Sequence, residues 1–200
     1  MEENFIEGCA CSGADLKSLT DEEKFNLGDS KTWTAETICC TVGSNTLDSL
    51  VYKRTKETTD EWIMDAFILE LRMAAIFLRE KFPKKNILLA PLTPRKVRDV
   101  FTERLGRNIH HIIIKEAQDY GSLLRLKDNK LTYAYHVGVF EQDGSPRRGV
   151  FGQDETHLNR HGQYLNRLIY QAYTNFKPTK GNYVHDLPSQ AYGGTVRFYR

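Results

Sequence analysis

The chain predicts an α/β fold, a mainly parallel sheet with helices on both faces, and three observations carry that reading. Thr37 to Val42 (TICCTV) and Asn86 to Leu92 (NILLAPL) are apolar throughout, as strands covered on both faces must be. Asp60 to Phe82 shows a wide apolar stripe at helical spacing between them. Strand-like and helix-like segments alternate with no internal repeat and no low-complexity linker, the pattern of right-handed crossovers onto a parallel sheet.

Taken in order, Phe5 to Cys11 is a short apolar run ending in small residues, and Ala14 to Phe25 has helical spacing. After the Thr37 to Val42 strand comes the helix Asp60 to Phe82, with Trp62, Ile63, Ala66, Phe67, Leu69, Leu71, Ala74, Ala75, Phe77 and Leu78 on its stripe. Pro94 to Tyr120 reads mainly as helix, and Leu123 to Leu126 and Leu131 to Phe140 read as strands. His157 to Phe176 closes the pattern as a helix with Leu165, Leu168, Ile169 and Ala172 on one side. In such a fold, functional loops gather at the carboxyl ends of the strands.

At 200 residues, 40% hydrophobic and 27% charged, the chain fits one globular domain with a real core. No run approaches the ~18 to 20 apolar residues of a membrane span, and the start MEENFIEG is acidic where a secretory signal is basic and then apolar. A cytoplasmic or nuclear setting is therefore expected. Cys9, Cys11, Cys39 and Cys40 are spaced C-x-C and C-C, which fits no common zinc pattern, so reduced strand thiols are expected and no metal. Net charge is only +2, but basic residues bunch at Lys84, Lys85, Arg95, Lys96 and Arg98, at Arg147 and Arg148, and at Arg197 and Arg200. Such bunching permits nucleic-acid contact without requiring it.

The stretch Asp154 to Gln163 (DETHLNRHGQ) sets a carboxylate three residues before a histidine where the last helix begins. The Asp154 carboxylate can accept a hydrogen bond from one ring nitrogen of His157, which fixes the tautomer and leaves the other nitrogen to take a proton from a nucleophile or water. The plainer reading is a loop Asp that caps the following helix beside a surface His. Upstream, Gly13 follows the first strand and Gly43-Ser44-Asn45 follows the second. A glycine there exposes its N–H, and an Asn amide supplies a second donor, so Gly13 and Asn45 form a candidate oxyanion hole. Ordinary turn chemistry explains each of them singly.

Together these blocks resemble the SGNH hydrolases, the GDSL-type esterases and lipases. In that family a nucleophilic serine follows the first strand, a glycine the second, a Gly-x-Asn the third, and Asp-x-x-His precedes the last helix. Gly13, Gly43 with Asn45, and Asp154 with His157 match three of the four, and their wording is most similar to esterase domains of some non-LTR retrotransposons. The resemblance implies a three-layer α/β/α flavodoxin-like domain over residues 1–176, with residues 177–200 as a C-terminal extension. It also implies ester hydrolysis without a cofactor: a serine attacks the acyl carbonyl, His157 takes its proton, Asp154 holds the imidazole, and Gly13 N–H with the Asn45 amide stabilises the oxyanion.

The serine block has no counterpart. Gly28-Asp29-Ser30 spells the tripeptide but falls in the loop entering the next strand, on the order of 20 Å from His157 at ~3.3 Å per strand residue. A nucleophile must lie within ~3 Å of its base, so Ser30 reads as coincidence. The nucleophile is unassigned: the chain lacks the block or has lost it, and is then inactive as it stands, or it uses another serine such as Ser12 or Ser44. In the family the first strand lies between the second and third, so the resemblance implies that its absence leaves either a direct pairing of Phe5 to Cys11 with Thr37 to Val42 or unpaired backbone groups, at ~1 to 3 kcal/mol each when buried. A partner chain, the alternating tail Thr195 to Tyr199, or a rearranged sheet would have to satisfy them. The contrasting expectation is a non-catalytic module of the same fold that binds RNA or a protein through its basic clusters, with Pro94 to Leu105 as a basic rim. A flavodoxin-like domain holding a phosphorylated ligand is a weaker third reading, since no glycine-rich phosphate loop is present.

Overall fold

The computed structural model describes residues 6–9, 14–21, 37–92, 95, 100–118, 131–133, 149–155, 157–164 and 195–198. Its elements are β1 (Ile6–Cys9), a 3-10 turn (Lys17–Thr20), β2 (Thr37–Cys40), α1 (Ser44–Tyr52), α2 (Asp60–Lys81), β3 (Asn86–Leu89), α3 (Val100–Gln118), β4 (Leu131–Tyr133) and β5 (Thr195–Phe198). A further helical stretch spans 160–164. The chain is thus a mixed helix and strand protein with a small parallel sheet.

That sheet has the order β2-β3-β4, both pairs parallel. Thr37 stands opposite Asn86 and Cys40 opposite Leu89, and Ala90 N extends the ladder onto Cys40 O at 2.8 Å. Parallel strands need crossovers, supplied by α1 with α2 and then by α3, and these three helices pack on one another. The expected single parallel sheet is corrected at β1. This strand does not join β2-β3-β4 but pairs antiparallel with β5, Ile6 opposite Phe198 and Cys9 opposite Thr195. The alternating tail thus takes up one edge of β1, a pairing between chain ends that no local pattern encodes.

α2 forms where its sequence says it should. Thr59 Oγ1 accepts the Trp62 N–H at 3.1 Å, Asp60 and Glu61 sit in the positive first turn, and Arg79 and Lys81 in the last. Arg79 Nη1 then donates to Phe82 O and Lys85 O, at 3.1 and 2.9 Å, tying the helix end to the turn into β3. Ile63, Phe67, Leu71, Ala74 and Leu78 are buried along one face. They join Leu47 of α1, Ile87 and Leu89 of β3, and Leu105, Ile109 and Ile113 of α3 in one core. Each large apolar side chain buried this way contributes ~1.5 to 3 kcal/mol. Two ion pairs on the rim bind α2 to α3, Arg104 to Asp60 at 3.0 Å and Arg72 to Glu116 at 2.7 Å.

Two further expectations change. The helix foreseen over Ala14 to Phe25 is, among the described residues, only the 3-10 turn, because Asp15 Oδ1 accepts both Ser18 N (2.9 Å) and Ser18 Oγ (2.6 Å) and competes with helical bonding. Ser44 and Asn45, expected in a loop, open the helix α1. Leu123 to Leu126, most of Leu131 to Phe140 and the helix beyond residue 164 lie outside the described residues. No helix among those described is long and apolar enough to cross a membrane.

Candidate functional site

Gly43, Asn45 and Pro91 follow the adjacent parallel strands β2 and β3, at the carboxyl edge of the sheet. Gly43 has φ 138°, and a Cβ built there would overlap the Pro91 carbonyl oxygen, so position 43 requires glycine. This turn sends the chain into α1 with Asn45 in the first helical turn. The Asn45 amide is held at both ends. Nδ2 donates to Ala14 O at 2.9 Å, and Oδ1 accepts from Arg95 Nη2 at 2.5 Å. The other arm of Arg95 reaches Asp48 Oδ2, also at 2.5 Å, so one guanidinium fork spans two residues of α1. Beside it, Thr46 Oγ1 accepts the buried Leu16 N–H at 2.8 Å. Two independent bonds therefore fasten the segment that follows Gly13 onto the start of α1. Gly13 itself, Ser12 and Gly28 to Ser30 lie outside the described residues.

Asp154 and His157 do meet. His157 Nδ1 lies 2.5 Å from Asp154 Oδ2, and the His157 backbone N–H donates to Asp154 Oδ1 at 3.0 Å. The loop is bent by a turn in which Glu155 N donates to Gly152 O (3.1 Å) and Glu155 takes φ 54°, a left-handed conformation uncommon for a residue with a Cβ. Such local strain persists only where the surroundings impose it, and it concentrates at functional sites. Here the surroundings are a bridge between Phe151 and Leu158 and the bond from Gly152 N to His157 O at 2.8 Å. Both side chains of the pair are accessible, His157 at 61% and Asp154 at 50%.

Asn159 is the residue that sequence reasoning missed. Its Nδ2 donates to Gly149 O (2.9 Å) and Phe151 O (3.0 Å), while its Oδ1 accepts the Gly162 N–H (3.0 Å). It therefore caps the helical stretch 160–164 and closes the loop at once. The reading of Asp154 as the cap of that helix is thereby replaced: the cap is Asn159, and the Asp154 carboxylate is bonded to His157. An Asn directly before a helical run was the available signal.

Other sequence candidates resolve individually. Ser44 is buried in the first turn of α1. Cys40 is half-buried, and the described residues hold no group of three or more His, Cys, Asp or Glu side chains able to bind a metal. On the expected basic rim, Arg95 is engaged by Asp48 and Asn45. Arg104 pairs with Asp60 and lies over the Phe101 ring, 5.2 Å from its centroid. Both charges are balanced within the chain.

No family model and no curated protein matches this sequence. Among solved structures it is similar to one described as "a putative platelet activating factor from Streptococcus pneumonia", with a TM-score of 0.55 and 13% identity. The likeness covers 80% of this chain and 68% of that one. At this identity the likeness is one of fold.

Proposed function

We propose that this chain is an SGNH-like ester hydrolase domain in which His157 is the general base and acid, Asp154 its orienting carboxylate, and Asn45 with Gly13 the oxyanion donors. The observation that carries the reading is the hydrogen bond between His157 Nδ1 and Asp154 Oδ2. With that nitrogen committed to the carboxylate, the proton-accepting site of the neutral ring is Nε2. The tie from Asn45 to Ala14 supports the oxyanion pair, because it couples Asn45 to the residue that follows Gly13. One Nδ2 proton of Asn45 is spent on Ala14, and a primary amide carries a second.

In the reaction a serine Oγ bonds to the ester carbonyl carbon as its proton passes to His157. The negative charge gathers on the carbonyl oxygen between the Gly13 and Asn45 donors, and the alkoxide departs with the proton returned by His157. Water then repeats the sequence and releases the acid. Small acyl esters are the proposed substrates, the domain is proposed to span residues 1–176, and the serine is unassigned.

Intact-mass analysis after a fluorophosphonate probe tests this directly. One adduct, mapped to a serine and lost in His157→Ala, is expected. An adduct that forms equally well in His157→Ala would remove His157 from the mechanism. No adduct, together with salt-sensitive binding of single-stranded RNA, would instead identify a binding module of the same fold.

A further inference from the structure

α2 is apolar on two sides. Ile63, Phe67, Leu71, Ala74 and Leu78 face the core, yet on the opposite side Trp62, Leu69 and Met73 are 55%, 57% and 60% exposed. With half-buried Ala66 and Ile76 they fall at positions 62, 66, 69, 73 and 76, alternating steps of four and three that keep one straight seam along a helix. At 1.5 Å per residue the seam is about 21 Å long. A second apolar stripe along a helix offers a surface that a partner can cover.

We propose that a second copy of this chain covers the seam, α2 against α2, antiparallel about a two-fold axis at Leu69. The inference is independent of the proposed hydrolase activity. In this register the seam is its own complement. Leu69 meets the second copy's Leu69, Trp62 meets the second copy's Ile76, and the small Ala66 meets the larger Met73. An isologous contact of this kind closes on itself as a dimer and cannot propagate.

The charges beside the seam select the same register. Asp65 is exposed and makes no ion pair among the described residues. Arg72, seven residues on, has a side chain 35% exposed while it pairs with Glu116 of α3 at 2.7 Å. Antiparallel pairing about Leu69 sets Asp65 beside the second copy's Arg72, and symmetry makes this pair twice. A guanidinium has five N–H donors, so Arg72 can bind that carboxylate and keep Glu116. On the other flank Glu70 faces its own copy, but Lys17 neutralises it at 3.1 Å. A partner with an unrelated surface has no reason to match both the apolar order and the charge order of this helix.

Sedimentation velocity over a concentration series reads the result. Wild type is expected to associate reversibly to a dimer. Leu69→Lys, which places two ammonium groups on the axis at an exposed position, is expected to stay monomeric with unchanged helical circular dichroism. Asp65→Arg and Arg72→Asp should each weaken self-association by at least about ten-fold, because each sets like charges opposite one another. An equimolar mixture of these two variants should restore the dimer, since each copy then supplies the charge the other lacks. Monomeric wild type at hundred-micromolar concentration would overturn the proposal. So would a Leu69→Lys variant that still dimerises, or a mixture no tighter than its components.

Discussion

Gly43 has φ 138°, and its missing side chain makes room for the Pro91 carbonyl at the edge where β2 and β3 end. Gly43→Ala must both enter a left-handed conformation and displace backbone, so a loss of on the order of 3 kcal/mol is expected in chemical denaturation. A midpoint unchanged from wild type would contradict the close packing of that turn. The Asp154 and His157 pair was legible beforehand because its members lie three residues apart, so local spacing decides whether they meet. The place of Asn45 just after the second strand was legible, but its fastening by Arg95 and Ala14 was not, since those contacts span 50 and 31 residues. Asn159 escaped notice for a different reason: its side chain bonds backbone carbonyls, and backbone geometry leaves no mark in residue type. Asn suits many loop positions, and here it joins Gly149, Phe151 and Gly162 in one turn.

Among the elements, α2 was read within one residue of its observed end because every local signal agreed: the Thr59 cap, the acids of the first turn, the unbroken apolar spacing and the basic last turn. What its pattern did not disclose is that the apolar residues divide between the core and a second, exposed face. α1 is masked in the sequence although Leu47, Leu50 and Val51 have helical spacing, because Gly43, Ser44 and Asn45 also spell a turn. The 3-10 segment Lys17–Thr20 shows the reverse error, a helical pattern cut short by the Asp15 side chain. Its attachment to α1 rests on the buried bond from Leu16 N to Thr46 Oγ1. Thr46→Val keeps the shape but leaves that N–H unsatisfied, at a cost of ~1 to 3 kcal/mol, whereas Thr46→Ser keeps the acceptor and should lose less. Equal stability of all three proteins would show that the bond contributes nothing.

Over the whole molecule, the parallel arrangement of β2, β3 and β4 followed from apolar strands separated by helices, and the fold shared with a solved structure at 13% identity agrees with an α/β chain. The pairing of β1 with β5 did not follow, because it joins residues 6–9 to 195–198 and only the full topology can bring them together. A tail of alternating residues was foreseen as one of three ways to satisfy the strand edge, and it is the pairing observed. The two halves of the proposed site are each organised by their own bonds: Asn45 with Ala14 and Arg95 at the start of α1, and Asp154 with His157 in the Asn159-capped loop. Hydrolysis of p-nitrophenyl acetate by wild type beside His157→Ala and Asp154→Asn is the measurement that tests the account most directly. If His157 is the base and Asp154 orients it, both variants should fall by roughly 10²- to 10⁴-fold while remaining folded. Turnover that survives both substitutions, or a wild type no faster than His157→Ala, would contradict the account.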